Sequence, residues 1–255
     1  MKTSYTQRHP YITVILLGLL CTFMTALGSA VSQAFSSNAD IQYLFITGAL
    51  VVSVMIGLII MKKSRFTLSN FGFRANEKGS FRKVWWYIPL IVVEILPLAI
   101  VGFSSEVTGL QYIILLFFTI AVGFNEEIYF RGLAFKFMEE KGRKQAVIWT
   151  SVVFGVLHLV NAFNSKTALY VILQMFFAFL VGIVLAEIVS ITKSLWALII
   201  WHASHDYISG ITGDALDKTA LVILAIQVAI LLVFAIAMWQ RKKEDNVKEA
   251  LEPAV

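Results

Sequence analysis

Apolar runs recur along the chain at about 11–34, 41–61, 84–103, 110–135, 146–162, 168–190, 195–212 and 219–239, with short polar segments between them. A helix needs ~20 mostly apolar residues to cross a bilayer core, so the pattern predicts an all-α, polytopic membrane helical bundle with about eight transmembrane helices. Between Tyr11 and Met61 the only charged residue is Asp40, and the first two runs read as scaffold. The run 84–103 differs, because Glu94 lies between Pro89 and Pro97 and predicts a kinked helix with one buried carboxylate. Neither a repeat of 20–50 residues nor a low-complexity tract interrupts the pattern. A single integral membrane domain over 1–255 is expected, with its polar groups concentrated in about 110–212 and a polar tail at 240–255 that predicts disorder.

Composition agrees with this pattern: 58% of the residues are hydrophobic and 15% charged, too apolar for a soluble domain of this size. Cytoplasmic loops of membrane proteins collect Lys and Arg. One side receives Lys2, Arg8, seven cations in 62–83, four in 136–144, Lys193 and four in the tail; the other receives Lys166 and Lys218, with Asp40, Glu106, Asp214 and Asp217 nearby. Of the 21 Lys and Arg, 18 fall on the first side, two on the second, and Arg131 within a run. Both termini are therefore expected in the cytoplasm. The net charge of +5 follows from basic loops facing anionic lipid, with no nucleic-acid partner implied.

The Gly28-Ser29-Ala30 segment is loosely like a signal-peptide cleavage site, but its apolar run is longer than a signal-peptide core, so an uncleaved first helix is expected. The loop 62–83 interleaves its cations with Phe66, Leu68, Phe71, Phe73 and Phe81, a composition that suits the headgroup region as well as an ordinary basic loop. Trp85, Trp86 and Tyr87 fit an interfacial aromatic belt. The single cysteine, Cys21, excludes a disulfide framework within the chain and reads as a packing residue.

The chemistry is concentrated in Asn125-Glu126-Glu127-Ile128-Tyr129-Phe130-Arg131-Gly132. An ionised side chain at mid-bilayer costs roughly 2.5–3.5 kcal/mol on insertion scales, so three charges in this short stretch require partners or a purpose. On a helix Glu127 and Arg131 are i,i+4 neighbours and can pair, whereas Glu126 points about 100° away and needs another partner. His158 and the cluster His202-Ala203-Ser204-His205-Asp206 supply the candidates. At ~1.5 Å per residue, His202 lies roughly 12 Å and His158 roughly 18 Å from the cytoplasmic side, and Glu126 roughly 24 Å from the other. These depths allow one pocket. A carboxylate and a neutral imidazole can hold a water and remove its proton for attack on a carbonyl, and a second imidazole can stabilise the oxyanion. His202 and Asp206 face the same way at i,i+4 and suit that role or a metal shell, and Phe154 would limit water. Singly, each residue also fits a packing role.

Glu126-Glu127-x-x-x-Arg131, Phe154-x-x-x-His158 and His202-x-x-x-Asp206, in this order on three hydrophobic segments, resemble the three motifs of the CPBP family of membrane proteins, the CAAX prenyl proteases and bacteriocin-processing (Abi) proteins. The resemblance covers about 110–212. It implies a bundle of about eight transmembrane helices around an intramembrane peptidase site, in a multi-pass protein of the cell membrane, expected to be bacterial. By position, Glu126 and His158 would activate water, His202 and Asp206 would bind the oxyanion, and Glu127 and Arg131 would order the site.

The third motif commonly ends in Asn, and Asp206 is a departure: an ionised Asp accepts but does not donate, so it would repel an oxyanion unless protonated or paired. Either His202 alone donates, oriented by Asp206, or Glu126, Glu127, His158, His202 and Asp206 form a shell in which Glu126, His158 and His202 ligate zinc. The metal-free glutamate mechanism is preferred, because the HExxH pair of zinc peptidases is missing. The expected activity is hydrolysis of a membrane-associated peptide or protein of CAAX or bacteriocin/pheromone type. The alternative is a non-catalytic membrane partner that binds a peptide, for self-immunity or scaffolding. A proton-relay transporter is weaker, since paired halves with broken helices are not evident. Substrate, cleavage position and oligomeric state are not encoded in these patterns.

Overall fold

The computed structural model describes residues 5–163, 167–213 and 216–251; Lys2, Lys166 and Asp214, used above to assign sides, lie outside the described residues. Among the described residues there is no strand. The long helices are α1 (Pro10–Phe35), α2 (Ala39–Lys63), α3 (Ile88–Ile100), α4 (Gly109–Glu127), α5 (Arg143–Leu157), α6 (Ala168–Thr192), α7 (Trp196–Thr212) and α8 (Lys218–Leu251). Six helical stretches are long and apolar enough to cross a membrane: 10–35, 39–63, 109–141, 143–162, 168–192 and 218–240. Of the two other expected spans, α3 has 13 residues and α7 has 17. At 1.5 Å per residue both fall short of a ~30 Å hydrocarbon core.

Local sequence explains the helix starts. Pro10 occupies the first turn of α1, where its missing N–H costs nothing. Asn38 caps α2 by accepting from the backbone N–H of Asp40 at 2.8 Å and Ile41 at 3.2 Å. Thr108 and Gln111 form a reciprocal capping box at the start of α4, and Thr167 caps α6. At the other end of the chain, α8 continues to Leu251 where disorder was expected. Its polar stretch is rich in Lys and Glu, good helix formers, and contains no Gly or Pro before Pro253.

The helices pack in the cyclic order α1, α2, α4, α7, α3, α8, α6, α5 and back to α1. The tightest crossing that bears on function joins α4 to α7 at Gly123. A Cβ there would lie 2.9 Å from the carbonyl oxygen of Ile199 and 3.1 Å from the amide nitrogen of Ala203, so only glycine lets the two backbones meet. Beyond Glu127 the α-helix widens: residues Ile128–Ala134 form a π-helix, with the N–H of Phe135 reaching the carbonyl of Phe130. All seven of its residues are buried. The expected i,i+4 pairing survives across the boundary, from Glu127 at the end of α4 to Arg131 within the widened segment.

The basic segments meet at one end of the bundle. Lys193 and Lys136 both donate to Glu139 at 2.8 Å, Arg65 pairs with Glu140, and Arg143 reaches the buried Glu187 at 3.1 Å. The 62–83 loop is folded onto this end. Phe66 and Phe71 pack with Phe137, and Phe71 is buried. Gly72, at φ +98°, accepts from the N–H of Leu195 at 2.9 Å, and a Cβ there would fall 2.7 Å from Leu195 Cγ. Phe66, Phe71 and Phe73 thus bury area against the helix ends, while Phe81 stays exposed.

Candidate active site

Glu127 stands at the centre of the polar cluster and is fully buried. Its Oε1 accepts from Arg131 Nη1 at 3.0 Å, one turn along the same chain segment. The same oxygen accepts from His202 Nδ1 at 2.7 Å, across the α4–α7 crossing. A carboxylate only accepts, so Nδ1 of His202 carries the hydrogen. The opposite ring atom, Nε2, then faces Glu126 Oε2 at 3.4 Å and Asp206 Oδ2 at 3.7 Å. These distances are too long for good hydrogen bonds, but they place His202 between three carboxylates from two helices. The leftover acid of the sequence, Glu126, has thereby found its neighbour.

A buried ion pair such as Glu127–Arg131 costs several kcal/mol per ion in desolvation, offset only by close contacts on all sides. Arg131 gains one such contact from Phe154: its Cζ lies 4.3 Å from the ring centroid. Phe154 also meets His158 edge-on at 4.8 Å, His202 at 6.1 Å and Phe130 at 4.9 Å. One ring on α5 therefore packs against the guanidinium and both imidazoles.

His158 ends α5, where the chain tightens into a 3₁₀ turn. Its Nδ1 lies 2.8 Å from the carbonyl oxygen of Phe154, one turn back, and a carbonyl only accepts. Nδ1 is therefore the donor, and Nε2 is left as the acceptor nitrogen of a neutral ring. Glu126 and His158 line a common cavity of about 70 Å³, together with Cys21, Phe130, Phe154 and Asn161. A second cavity, of about 320 Å³, is lined by His158, His202 and Asp206 and continues between α3, α6, α7 and α8. His158 and Phe154 are common to both.

The six residues singled out in the sequence thus come from three helical segments and meet in one region. Four further polar groups join them. Glu94 Oε1 lies 3.0 Å from His205 Nδ1, and the His205 ring is stacked between Trp201 at 5.2 Å and Phe177 at 5.3 Å. The two prolines around Glu94 were a cue to a buried carboxylate, but no spacing linked it to His205, 111 positions away. Cys21 is buried as expected of a packing residue, yet its sulfur also accepts from Asn125 Nδ2 at 3.1 Å beside Glu126.

The zinc shell was tested against these positions. Nδ1 of His202 is bonded to Glu127 and Nδ1 of His158 to the backbone, which leaves Nε2 of each ring as the nitrogen open to another group. Among the described residues no group of three or more His, Cys, Asp or Glu is arranged to hold a metal ion.

Residues 108–208 match the family model described as type II CAAX prenyl endopeptidase Rce1-like. The matched segment runs from the cap of α4 into α7 and contains all six motif residues, in agreement with the resemblance drawn from the motifs. No curated protein matches the chain.

Proposed function

We propose that the chain is an intramembrane endopeptidase that hydrolyses a peptide bond of a membrane-associated peptide or protein through water activated by Glu126 and His158. The observation that carries this reading is the meeting of Glu126 and His158 at one cavity of about 70 Å³, with His202 beside them. A cavity of this size has room for at least one water molecule. The match to CAAX prenyl endopeptidases over 108–208 supports the same reaction class.

In this reading the water lies between the Glu126 carboxylate and His158 Nε2. One of them takes its proton as the oxygen attacks the carbonyl carbon. The carbonyl π electrons move onto oxygen, and the oxyanion needs a donor. His202 supplies it from Nε2, with the ring oriented by the Nδ1–H bond to Glu127. Asp206 acts on His202 instead of on the oxyanion, because a carboxylate beside Nε2 stabilises a protonated ring and an ionised acid would repel the intermediate. Collapse breaks the carbon–nitrogen bond, and the proton taken from water passes to the departing amine. Phe154 limits the volume around the reacting atoms.

The roles differ in what they touch. Glu126, His158 and His202 are catalytic residues; Glu127, Arg131 and Asp206 position His202. The CAAX-type and bacteriocin or pheromone-type substrates both suit this chemistry. The test compares membrane peptide profiles from cells carrying the wild type and Glu126→Gln. A peptide cleaved only with the wild type supports the proposal and identifies the substrate. Biological function that persists in Glu126→Gln and His158→Ala would instead support a non-catalytic binding partner.

A further inference from the structure

The cavity of about 70 Å³ sets a requirement on the water it would hold. The Glu126 carboxylate and Nε2 of His158 are both acceptors, so a water between them donates both of its hydrogens. Its two lone pairs remain. A buried water makes about three hydrogen bonds, and here the third must come from a donor. One lone pair has to stay open toward the carbonyl carbon, and a donor on the other fixes which way the open one points.

The wall of the cavity offers one amide. Asn161 lines it together with Glu126 and His158. It stands three residues after His158 in the 3₁₀ turn His158–Phe163, and in such a turn positions i and i+3 lie one above the other. Asn161 is also held in place: its Nδ2 donates to Oε1 of Gln174 on α6 at 2.9 Å. An amide nitrogen carries two hydrogens, so the bond to Gln174 uses one and leaves the other. The competing donors on this wall belong to α1. Thr25 gives its hydroxyl hydrogen to the carbonyl of Cys21 at 3.3 Å, and the thiol of Cys21 is a weak donor. Thr22 is the remaining hydroxyl.

We infer that Asn161 is a further catalytic residue, which donates its second Nδ2 hydrogen to the hydrolytic water, and that Gln174 positions it. The inference rests on the endopeptidase reading, which supplies the water. Asn161 keeps its protons throughout: the proton of the water goes to Glu126 or His158, and the amide only holds the oxygen as it attacks. The bond to α6 removes the freedom that an unpaired amide would have to turn away, so the orientation is set before the substrate arrives.

The test uses full-length variants and a peptide that the wild type cleaves. Asn161→Asp separates the catalytic role from a structural one. A carboxylate can still accept from Gln174, whose amide turns to donate, so the tie between the turn and α6 survives while the donor toward the water is gone. Its kcat should fall about tenfold or more, as far as that of Asn161→Leu, with KM within about twofold of the wild type. The unfolding midpoint of Asn161→Asp should stay near the wild-type value. Gln174→Leu should lower kcat by a smaller factor, and Gln174→Glu, which still accepts from Asn161, should recover most of that loss.

A merely structural clamp predicts the reverse, with Asn161→Asp active and Gln174→Leu as damaging as Asn161→Leu. That result overturns the inference. So does a loss in Thr22→Val as large as that in Asn161→Leu, which moves the third contact to α1. Should Asn161→Leu fail to purify, Asn161→Asp set against the two Gln174 variants answers the same question. Product lost in Glu126→Gln but kept in Asn161→Asp sinks this inference alone; product retained in Glu126→Gln sinks the endopeptidase reading and the inference with it.

Discussion

His202 and Glu127 meet at 2.7 Å, Nδ1 to Oε1, although 75 positions separate them in the chain. The contact joins α7 to α4 and ties an imidazole to an acid already paired with Arg131. Everything proposed about the site depends on this joint, because it decides which nitrogen of His202 faces Glu126.

Glu127→Ala should therefore damage the fold as well as the activity. It leaves Arg131 buried without its counter-charge, a loss of about 3–5 kcal/mol by analogy with other broken buried pairs. Thermal unfolding in detergent should show a clear fall in midpoint. Glu127→Gln, which keeps the shape and one acceptor oxygen, should unfold closer to the wild type while still losing activity. A midpoint for Glu127→Ala equal to the wild type would remove the ion pair from the list of structural contacts.

Glu126→Gln should behave in the opposite way. Glu126 Oε2 makes no hydrogen bond, so the amide costs the fold little, and the unfolding midpoint should stay within a few degrees of the wild type. Removal of a general base typically lowers rate by about 10²–10⁴-fold. Cleavage of an identified substrate measures this; a loss below tenfold would mean another group takes the proton.

At the basic end, Arg143 donates to Glu187 and to Ser190. Arg143→Ala leaves the fully buried Glu187 uncompensated, with an expected loss of about 3 kcal/mol or more. Arg143→Lys should recover only part of it, since an ammonium cannot reproduce the two separate donations of a guanidinium. Unfolding midpoints of the two variants, with Glu187→Gln in each background, measure the coupling.

Gly123→Val should separate α4 from α7. Its branched side chain would press on the Ile199 carbonyl and the Ala203 amide, and overpacking costs about 1–3 kcal/mol. Activity should fall further than stability, because His202 moves away from Glu127 with the helix. A variant that is stable and fully active would show that the crossing can open without consequence.

For the metal question, activity should survive treatment with a chelator, and the purified protein should contain zinc well below one equivalent. Stoichiometric zinc together with loss of activity on chelation, restored by added metal, would replace the glutamate mechanism by a metal-dependent one.

Much of the site was legible in the sequence because its rules act within one helix. The i,i+4 spacing placed Glu127 beside Arg131 and His202 near Asp206, and both neighbour relations hold. Charge inside an apolar run marked Glu126 as needing a partner, but spacing could not say which helix would bring it. That depends on packing order, set by contacts such as Gly123 against Ile199 that no periodicity reveals. The same limit hid the Glu94–His205 pair. The segment at 195–212 matches its helix to within one residue, whereas that at 84–103 was drawn too long for a different reason: apolar residues beside the helix, such as Trp85 and Val101, extend a hydrophobic run without extending the helix. For the 62–83 loop both readings stayed open, because composition cannot distinguish aromatics facing lipid from aromatics facing protein.

The widened turn after Glu127 has one more consequence. It spans seven residues that contact α1 and α2, and the helix before it packs between α2 and α7. Each residue of a regular helix advances the direction of its side chains by about 100°. Deleting one residue from 128–134 would thus swing the acidic pair around the axis relative to everything downstream, and either the joint with α7 or the seat against α1 would be lost. The extra length sets the phase between the joint with α7 and the seat against α1.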